Sequence, residues 1–251
     1  MIYQSNMSSL RQKLLGLLRL TCNSRRMIED GDRIAIGLSG GKDSMTLLTL
    51  MRDFQGFSPN KFELKAFSVD LGFLGSDFSP MVDYCEKIGV SLEIIPSDIA
   101  KVVFDIRKEK NPCSLCANMR RGLLNSKIKE QGFNKLALGH HADDLVETFF
   151  LSMFYEGRLS TFQPVSLMTR ANITLIRPLI QIWEKDLINF SKDLPLIKNP
   201  CLANGGTERE HMKNIIKDLC ENHIKTAKTS ILTALIHPER NNLWKELGSK
   251  Q

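Results

Sequence analysis

The chain has 251 residues, of which 42% are hydrophobic and 25% charged, so it is long enough for one large folded domain with a small appendage, and a disordered or fibrous protein is excluded. Its formal net charge of +6 at pH 7 fits a polyanionic partner such as RNA. No apolar run reaches the roughly 18–20 residues that a membrane span needs, and the charged N-terminal stretch lacks the small-residue cleavage site of a signal peptide. We therefore expect a cytoplasmic protein without a membrane partner.

The N-terminal segment predicts a helix that packs on the rest of the protein. One helical stripe contains Leu10, Leu14, Leu17 and Leu18, and Ser8 and Ser9 precede it as candidate N-caps.

From residue 33 onward, strand-like and helix-like segments alternate along the chain. Strands are predicted at 33–38, 62–70, 91–95, 135–139 and 172–176. Helices are predicted at 45–54, 78–88, 113–132, 144–155 and 183–192, and again after residue 201. Asp144, with Glu147 three residues later, has the pattern of a capping box at the start of its helix. This alternation predicts a doubly wound α/β fold with a parallel sheet of five strands.

Two loops of this sheet have unusual sequences, SGGKDS after the first strand and GHHADD after the fourth. In a parallel sheet with the order 3-2-1-4-5 these loops are neighbours at the point where the strand order reverses. Ligands of such sheets bind at that point, beyond the carboxyl ends of the strands. The expected binding site therefore lies between the two loops.

The first loop has the chemistry of a phosphate site. It consists of Ser39, Gly40, Gly41, Lys42, Asp43 and Ser44. Paired glycines bring backbone N–H groups close to an anion, and the following helix N-terminus adds further donors. It is not a Walker P-loop, because Ile36 stands where that motif requires its first glycine and Asp43 follows the lysine. The alternative is an ordinary glycine-rich turn with a surface lysine.

Three of the six cysteines form a candidate metal site. Cys113 and Cys116 make a CxxC at a predicted helix start, and Cys201, after Asn199-Pro200, is the candidate third ligand. No second CxxC exists, which disfavours a four-cysteine zinc site; free thiols are the alternative. The remaining cysteines lie in helical contexts typical of buried apolar thiols: Cys22, Cys85 and Cys220.

Charged side chains surround these motifs. Arg120 and Arg121 follow Cys116 by about one helical turn, where they could grip phosphate of ATP or tRNA or balance a negative cluster; a solvated helix face is the alternative. Asp70 ends the second strand, where its side chain could flank a bound nucleotide. The alternative is an ordinary polar residue at a strand end. The strand-four loop adds Gly139, His140, His141, Asp143 and Asp144. A His-Asp metal site there is conceivable.

The SGGKDS loop at 39–44 resembles the SGGxDS loop of the PP-loop ATP pyrophosphatases, which split ATP between the α and β phosphates. Followed by PCSLCANMRRGLL, ALGHHADDLVETFFLSMFYEGRL and LIRPLIQIWEKDLINF, it is similar to the tRNA 2-thiocytidine synthetases, the TtcA family, over roughly residues 25–220. The resemblance implies an adenine nucleotide alpha hydrolase-like fold. It also implies that the loop at 39–44 holds pyrophosphate and Asp43 holds Mg²⁺, with nucleotide contacts from Asp70, Gly139, His140, Asp143 and Asp144.

The resemblance further implies a 4Fe-4S cluster on Cys113, Cys116 and Cys201 that delivers sulfur to cytidine 32 of tRNA after ATP adenylates the cytidine carbonyl. The sulfur donor would be a cysteine desulfurase or free sulfide, and a homodimer is kept open. Two features depart from the family: Cys201 is followed by Leu-Ala-Asn rather than a second CxxC, and the chain is shorter than many members.

Three alternatives remain at this stage. The first is a thiolase without a cluster that uses a persulfide couple of Cys113 and Cys201. The second is a tRNA lysidine-type ligase, which would have no use for the cysteines, and the third is a noncatalytic nucleotide- and metal-binding protein. The predicted domains are a docking helix at 1–30, a PP-loop ATP-binding domain with the inserted CxxC helix at 31–200, and a helical C-terminal region at 201–251.

Overall fold

The computed structural model describes residues 2–108, 112–197, 201, 208–240 and 243, with only the backbone for residues 2–8. The α-helices are α1 (Ile2–Ser24), α2 (Lys42–Phe57), α3 (Ser79–Ile88), α4 (Pro112–Glu130), α5 (Ala142–Glu156), α6 (Glu184–Phe190), α7 (Glu208–Asp218) and α8 (Ala227–Ile236). The strands are β1 (Arg33–Gly37), β2 (Glu63–Val69), β3 (Ser91–Ile95), β4 (Lys135–Ala137), β5 (Val165–Met168) and β6 (Ile173–Ile176). Short π-helical segments at Lys101–Ile106 and Leu219–His223 and 3₁₀ turns at Ser191–Asp193 and Pro238–Arg240 complete the described structure.

The strands form one sheet in the order β3-β2-β1-β4-β6-β5. All pairs are parallel except β5 with β6. The predicted α/β fold is therefore confirmed, and the five predicted strands lie in the predicted order, with β6 in the fifth place. The prediction of five strands was incomplete, because β5 adds an antiparallel edge strand. Its turn to β6 passes through Asn172 in the left-handed region at φ 54°, a conformation that asparagine tolerates better than most residues.

Alternation along the strands divides the core between two faces of the sheet. Ile34 and Ile36 are buried in a cluster that includes residues of α1, α2, α3 and α6. Ala35, between them, belongs to a second cluster with Leu124 and Ile128 of α4. Because successive strand residues point to opposite faces, helices cover both faces, as the doubly wound prediction requires.

The N-terminal helix packs on the first of these faces, as expected. Leu14 and Leu18 of α1 are fully buried. The predicted caps were wrong, because α1 begins at Ile2 and Ser8 and Ser9 lie within it. The reason is that α1 begins about two turns before the first leucine of the stripe, so the serines are not at its N-terminus.

The start of α5 also differs from the prediction. This helix begins at Ala142, so Asp144 lies in its first turn and not at its N-cap. Glu147 does not act as a capping-box partner, because its carboxylate contacts Arg209 of α7 at 3.1 Å. A long-range ion pair has therefore replaced the local cap that the spacing suggested.

The chain divides into two compact units. The first comprises Met1–Ala142 and Gln163–Asn204 and carries the sheet; the second comprises Asp143–Phe162 and Gly205–Gln251. The domain boundaries predicted from sequence stay a prediction. Among the described residues, no helix is both long and apolar enough to cross a membrane.

Candidate nucleotide and thiol site

The phosphate loop connects β1 to α2 at the carboxyl end of the sheet. Gly40 has a positive φ of 76°, which favours glycine, and its backbone carbonyl accepts a hydrogen bond from the Ile197 N–H at 2.9 Å. A Cβ on Gly40 would lie 2.8 Å from the Cβ of Ile197. Both the turn and the close approach of Ile197 therefore require glycine at this position.

Two serines hold the loop in shape from within. The Ser44 hydroxyl donates to the Gly41 carbonyl at 3.0 Å and accepts the Ser39 N–H at 3.1 Å. The hydroxyls of Ser39 and Ser44 are themselves 3.1 Å apart. These bonds close within the loop and add to the bond that the Gly40 carbonyl accepts from the distant Ile197.

Lys42 is held between two carboxylates. Its ammonium lies 3.1 Å from Asp43 Oδ2 and 3.1 Å from Glu184 Oε1 in the first turn of α6. Burial alone lowers the pKa of the Lys42 ammonium, but Asp43 and Glu184 outweigh burial and leave that pKa above its ordinary value. Lys42 is therefore a cation, suited to a phosphate ligand.

The second oxygen of Asp43 fits a metal ion. Asp43 Oδ1 is buried and has no hydrogen-bond partner within the described part of the chain. The Nε2 atom of the buried His141 is 3.8 Å from this oxygen, beyond hydrogen-bond distance. A buried carboxylate oxygen without a donor is costly, and a hard cation such as Mg²⁺ would satisfy it.

The strand-four loop touches the phosphate loop through its glycine. A Cβ on Gly139 would lie 3.0 Å from the backbone carbon and oxygen of Asp43 and 3.2 Å from the Ser44 nitrogen. These neighbours are backbone atoms at the start of α2, so they cannot move aside as a flexible side chain would. The expectation that the two loops adjoin is confirmed, and Gly139 acts by close approach.

His140 is oriented by a buried arginine that the sequence analysis did not single out. Arg177 Nε donates to His140 Nδ1 at 3.3 Å, and Arg177 Nη1 donates to the Gln163 carbonyl and to the Ser166 hydroxyl at 3.3 Å. Burial lowers the pKa of Arg177 to about 10. A bond accepted at Nδ1 favours the tautomer with the proton on Nε2, so His140 is a hydrogen-bond donor there.

The two aspartates of this loop have basic partners within the second unit. The buried Asp143 pairs with Lys228 of α8. Asp144 lies 3.4 Å from Arg209 of α7, and burial raises the pKa of the neighbouring Glu147 although Arg209 opposes the rise. Lys228 and Arg209 were not found from sequence, because nothing local to a helical lysine or arginine marks its partner.

A cavity of about 310 Å³ opens beside the phosphate loop. Its walls come from β1, β2, the loop after β2, α4 and the segment before Cys201: Gly37, Leu38, Ser39, Gly41, Phe67, Ser68, Val69, Leu71, Phe73, Ser76, Phe78, Arg120, Leu124, Leu138 and Ile197. The apolar lining next to a phosphate loop is what a nucleoside needs. Asp70 is absent from these walls; its carboxylate accepts the Gly72 N–H at 2.9 Å in the turn after β2.

Two of the candidate ligand cysteines, Cys113 and Cys201, lie within electrostatic reach of the third, Cys116. Burial raises the pKa of the Cys116 thiol, Arg120 lowers it, and Cys201 and Cys113 add to the rise. Cys113 is exposed, and Cys116 and Cys201 are half-buried. No group of three or more His, Cys, Asp or Glu side chains among the described residues is spaced for a single metal ion. The ligands of a cluster bind different irons and need not approach so closely.

The other cysteines divide into two environments. Cys22 and Cys85 are buried in the core, where burial raises their thiol pKa values to about 12 and about 11. Cys220 is half-buried in the π-helical segment of the second unit. The core thiols are therefore poor ligands and poor nucleophiles at neutral pH.

The two arginines of α4 differ in their surroundings. Arg120 lines the cavity and also acts on the Cys116 thiol. Both residues are exposed, and Arg121 donates to Asn118 Oδ1 at 3.0 Å on the same helix. Arg120 thus faces both the cavity and the thiols, whereas Arg121 has the surroundings of a solvated helix face.

Comparison with known proteins agrees with these features. Residues 11–197 match the PP-loop domain family. The chain is 38% identical to a tRNA-cytidine(32) 2-sulfurtransferase of Coxiella burnetii, covering 89% of this chain and 89% of that protein. Proteins of the same description from Aliivibrio fischeri and Vibrio vulnificus are 38% and 40% identical, over 85% and 76% of this chain and 71% and 63% of theirs.

A solved structure has a similar fold. The U34-tRNA thiolase NcsA from Methanococcus maripaludis, determined with its 4Fe-4S cluster, superposes with a TM-score of 0.75 at 25% sequence identity. The match covers 96% of this chain and 82% of the thiolase.

Proposed function

The chain belongs to the PP-loop family and, within it, to the tRNA-cytidine(32) 2-sulfurtransferases, and from that premise we propose that it exchanges the 2-oxygen of cytidine 32 in tRNA for sulfur at the expense of ATP. The enzyme class follows from the family. We further propose cytidine 32 as the target nucleotide and a 4Fe-4S cluster as the cofactor. The observation that carries the proposal is that one cavity adjoins both the phosphate loop and, through Arg120, the cysteine group.

The first half of the reaction is activation of the base. The cytidine carbonyl oxygen attacks the α-phosphorus of ATP, a new P–O bond forms, the bond to the bridging oxygen breaks, and pyrophosphate leaves. The loop at Ser39–Ser44 would bind the pyrophosphate through its backbone N–H groups and Lys42, and Asp43 would hold Mg²⁺ on the phosphates. The apolar walls of the cavity would hold the adenosine and exclude water.

The second half replaces the activated oxygen. A sulfur nucleophile adds to the same carbon, and AMP leaves with the original oxygen. Cys113, Cys116 and Cys201 would hold a 4Fe-4S cluster, since three soft thiolates suit iron–sulfur ligation. When bound, the cluster supplies an iron free to carry sulfide. A cysteine desulfurase or free sulfide would supply the sulfur, and Arg120 would balance negative charge between the thiolates and the nucleotide.

The product itself gives the primary test. Nucleoside mass spectrometry of tRNA from a strain lacking the gene should show loss of 2-thiocytidine, and a plasmid copy should restore it. With purified protein, pyrophosphate release should require tRNA. Unchanged 2-thiocytidine in the deletion strain would refute the substrate, and pyrophosphate release independent of tRNA would indicate another acceptor.

The cysteines distinguish a cluster from a persulfide. Anaerobically purified protein should be brown, and Ala at Cys113, Cys116 or Cys201 should remove the colour and the thiolation while nucleotide binding survives. The matched control is Cys220→Ala, which should keep both. Thiolation by a protein that holds no iron would favour the persulfide couple of Cys113 and Cys201 instead.

Substitutions of Arg120 and Arg121, on the same helix, test whether the cavity connects the phosphate loop with the cysteine group. Arg120→Ala should lower turnover about tenfold or more, because it removes charge from both the cavity and the thiols. Arg121→Ala, a change of the same size one residue away, should lower turnover less than about threefold. Equal effects of the two substitutions on turnover would indicate general RNA attraction rather than a role at the cavity.

A further inference from the structure

We propose that Glu184 is a positioning residue for Mg²⁺-nucleotide binding, which holds the Lys42 ammonium so that Lys42 does not occupy the Asp43 carboxylate. The inference rests on the proposed function only in its ATP-binding part. It assigns a role to Glu184, which lies in the segment LIRPLIQIWEKDLINF, 142 residues after Lys42, and to which the sequence alone gave no function.

The geometry makes Lys42 a shared cation. Its Nζ is at the same distance, 3.1 Å, from Asp43 Oδ2 and Glu184 Oε1. Glu184 is the least exposed of the three side chains, at 15% against 28% for Lys42 and 32% for Asp43. We therefore take the Glu184 carboxylate, at the start of α6, as the more rigidly held of the two anions that contact Lys42.

The Asp43 carboxylate cannot bind the Lys42 ammonium and Mg²⁺ equally well at the same time. A divalent cation at Asp43 would repel an ammonium bonded to the same carboxylate, and the repulsion is strong at a half-buried site. The unpartnered Asp43 Oδ1 is the oxygen that such a cation would take. Glu184 offers Lys42 a second anion, so Lys42 can stay charged and near the loop while the metal ion uses Asp43.

Removal of Glu184 should turn Lys42 into a competitor of the metal ion. With one carboxylate left, the ammonium pairs with Asp43 alone, and Mg²⁺ must displace it. The half-saturating Mg²⁺ concentration should then rise roughly three- to tenfold, the range expected from one partly buried charged hydrogen bond. Binding of the nucleotide at saturating Mg²⁺ should change less.

The experiment measures binding, not turnover. The full chain is titrated with α,β-methylene ATP by calorimetry at a series of Mg²⁺ concentrations, without tRNA, in a double-mutant cycle of Glu184→Gln and Lys42→Ala. Glu184→Gln should raise the half-saturating Mg²⁺ in the wild-type background and change it less than about twofold in the Lys42→Ala background. Glu184→Asp, which keeps the charge, should restore most of the wild-type value.

A matched control lies in the same helical turn. Asp186 in α6 pairs with Lys13 of α1 at 2.8 Å, away from the loop. Asp186→Asn should lower the melting temperature of the protein and leave the half-saturating Mg²⁺ unchanged. A purely structural role of this turn predicts the opposite, namely that both substitutions shift melting and Mg²⁺ dependence together.

The outcomes separate the two proposals. An unchanged Mg²⁺ dependence in Glu184→Gln, or an equal shift with and without Lys42, overturns the role of Glu184. If the wild type binds the analogue with Mg²⁺ and the cycle behaves as expected but no tRNA is thiolated, the proposed substrate fails and the role of Glu184 stands. If the wild type binds no nucleotide, both are overturned.

Discussion

The loops after β1 and β4 are built in opposite ways. In the loop after β1 the bonds among Ser39, Gly41 and Ser44 close within six residues. In the loop after β4 each polar side chain has a partner from elsewhere. His140 contacts Arg177, 37 residues away, and Asp143 contacts Lys228, 85 residues away. The serine bonds of the first loop are local, whereas the side-chain bonds of the second loop come from distant parts of the fold.

Because of this difference, substitutions in the two loops should affect different properties of the protein. A locally bonded loop keeps its shape when distant residues change, so its substitutions should act on ligand binding and catalysis. A loop supported by distant partners should respond in stability as well, because removing a partner leaves a buried polar group unpaired. Gly40 and Lys42 are the exceptions in the first loop, since their partners Ile197 and Glu184 lie outside it.

The largest effect is expected at Asp43. Asp43→Ala should lower tRNA-dependent pyrophosphate release at least about a hundredfold, because the metal contact to the leaving pyrophosphate is lost. Folding should be preserved, since the serine bonds of the loop remain. Lys42→Ala, which leaves the backbone donors in place, should have the smaller effect. Wild-type release in Asp43→Ala would contradict the placement of Mg²⁺.

Gly139 tests the contact between the two loops. Gly139→Ala places a Cβ 3.0 Å from the Asp43 backbone and 3.2 Å from the Ser44 nitrogen, so the start of α2 must shift. We expect a loss of about 1–3 kcal/mol in the free energy of unfolding and a weaker affinity for ATP.

The control for Gly139 is Gly56, in α2 itself. A Cβ on Gly56 meets nothing within 4 Å. Gly56→Ala should therefore raise the free energy of unfolding by about 0.5–1 kcal/mol through helix propensity, without changing ATP affinity. If Gly139→Ala were as harmless as Gly56→Ala, the loops would not be in the close contact described.

The same contrast explains what the sequence could predict. Periodicity predicted five of the six strands, because buried parallel strands and their helices leave a pattern within each segment. Their order was expected from the doubly wound arrangement and not from any one segment. The helix predicted at 78–88 is confirmed as α3, and the φ of 68° at the following Gly89 is the left-handed conformation of a helix C-terminus. Short β5 was missed because its four residues have no periodicity of their own and depend on the pairing with β6.

For the site, the sequence identified residue types and not partners. Asp144 and Glu147 have capping-box spacing, yet Arg209 pairs with both carboxylates in the folded chain. Glu184 and Arg177 were missed for the same reason. Two signals were available: both residues lie in the segment LIRPLIQIWEKDLINF, and Arg177 directly follows β6 at the carboxyl end of the sheet.

Lys228 tests the distant support of the second loop. Lys228→Met should lower the free energy of unfolding by roughly 1–2 kcal/mol, because it leaves the buried Asp143 without this ammonium; the partial exposure of Lys228 moderates the loss. Urea unfolding measures the change. Lys217→Met, at an exposed lysine of α7, should stay within about 0.5 kcal/mol of the wild type.

A double substitution makes the Lys228 prediction specific. Asp143→Asn combined with Lys228→Met should recover part of the lost stability, because the charge that needed a partner is gone. Additive losses would mean that the ion pair contributes little and that the second loop is supported by other contacts.

The smallest effect is expected at Ser39, where local redundancy should protect the first loop. Ser39→Ala removes the hydroxyl pair with Ser44 and the long bond, at 3.5 Å, that the Ser39 hydroxyl accepts from the Gly41 N–H. The Ser44 hydroxyl keeps its bonds to the Gly41 carbonyl and to the backbone N–H at position 39. We expect less than about 1 kcal/mol of stability change and a two- to fivefold weaker affinity for ATP, on the order of one neutral hydrogen bond. Ser44→Ala breaks all three bonds and should cost more in both measurements. Equal losses for the two serines would show that the loop is held from outside, as the second loop is.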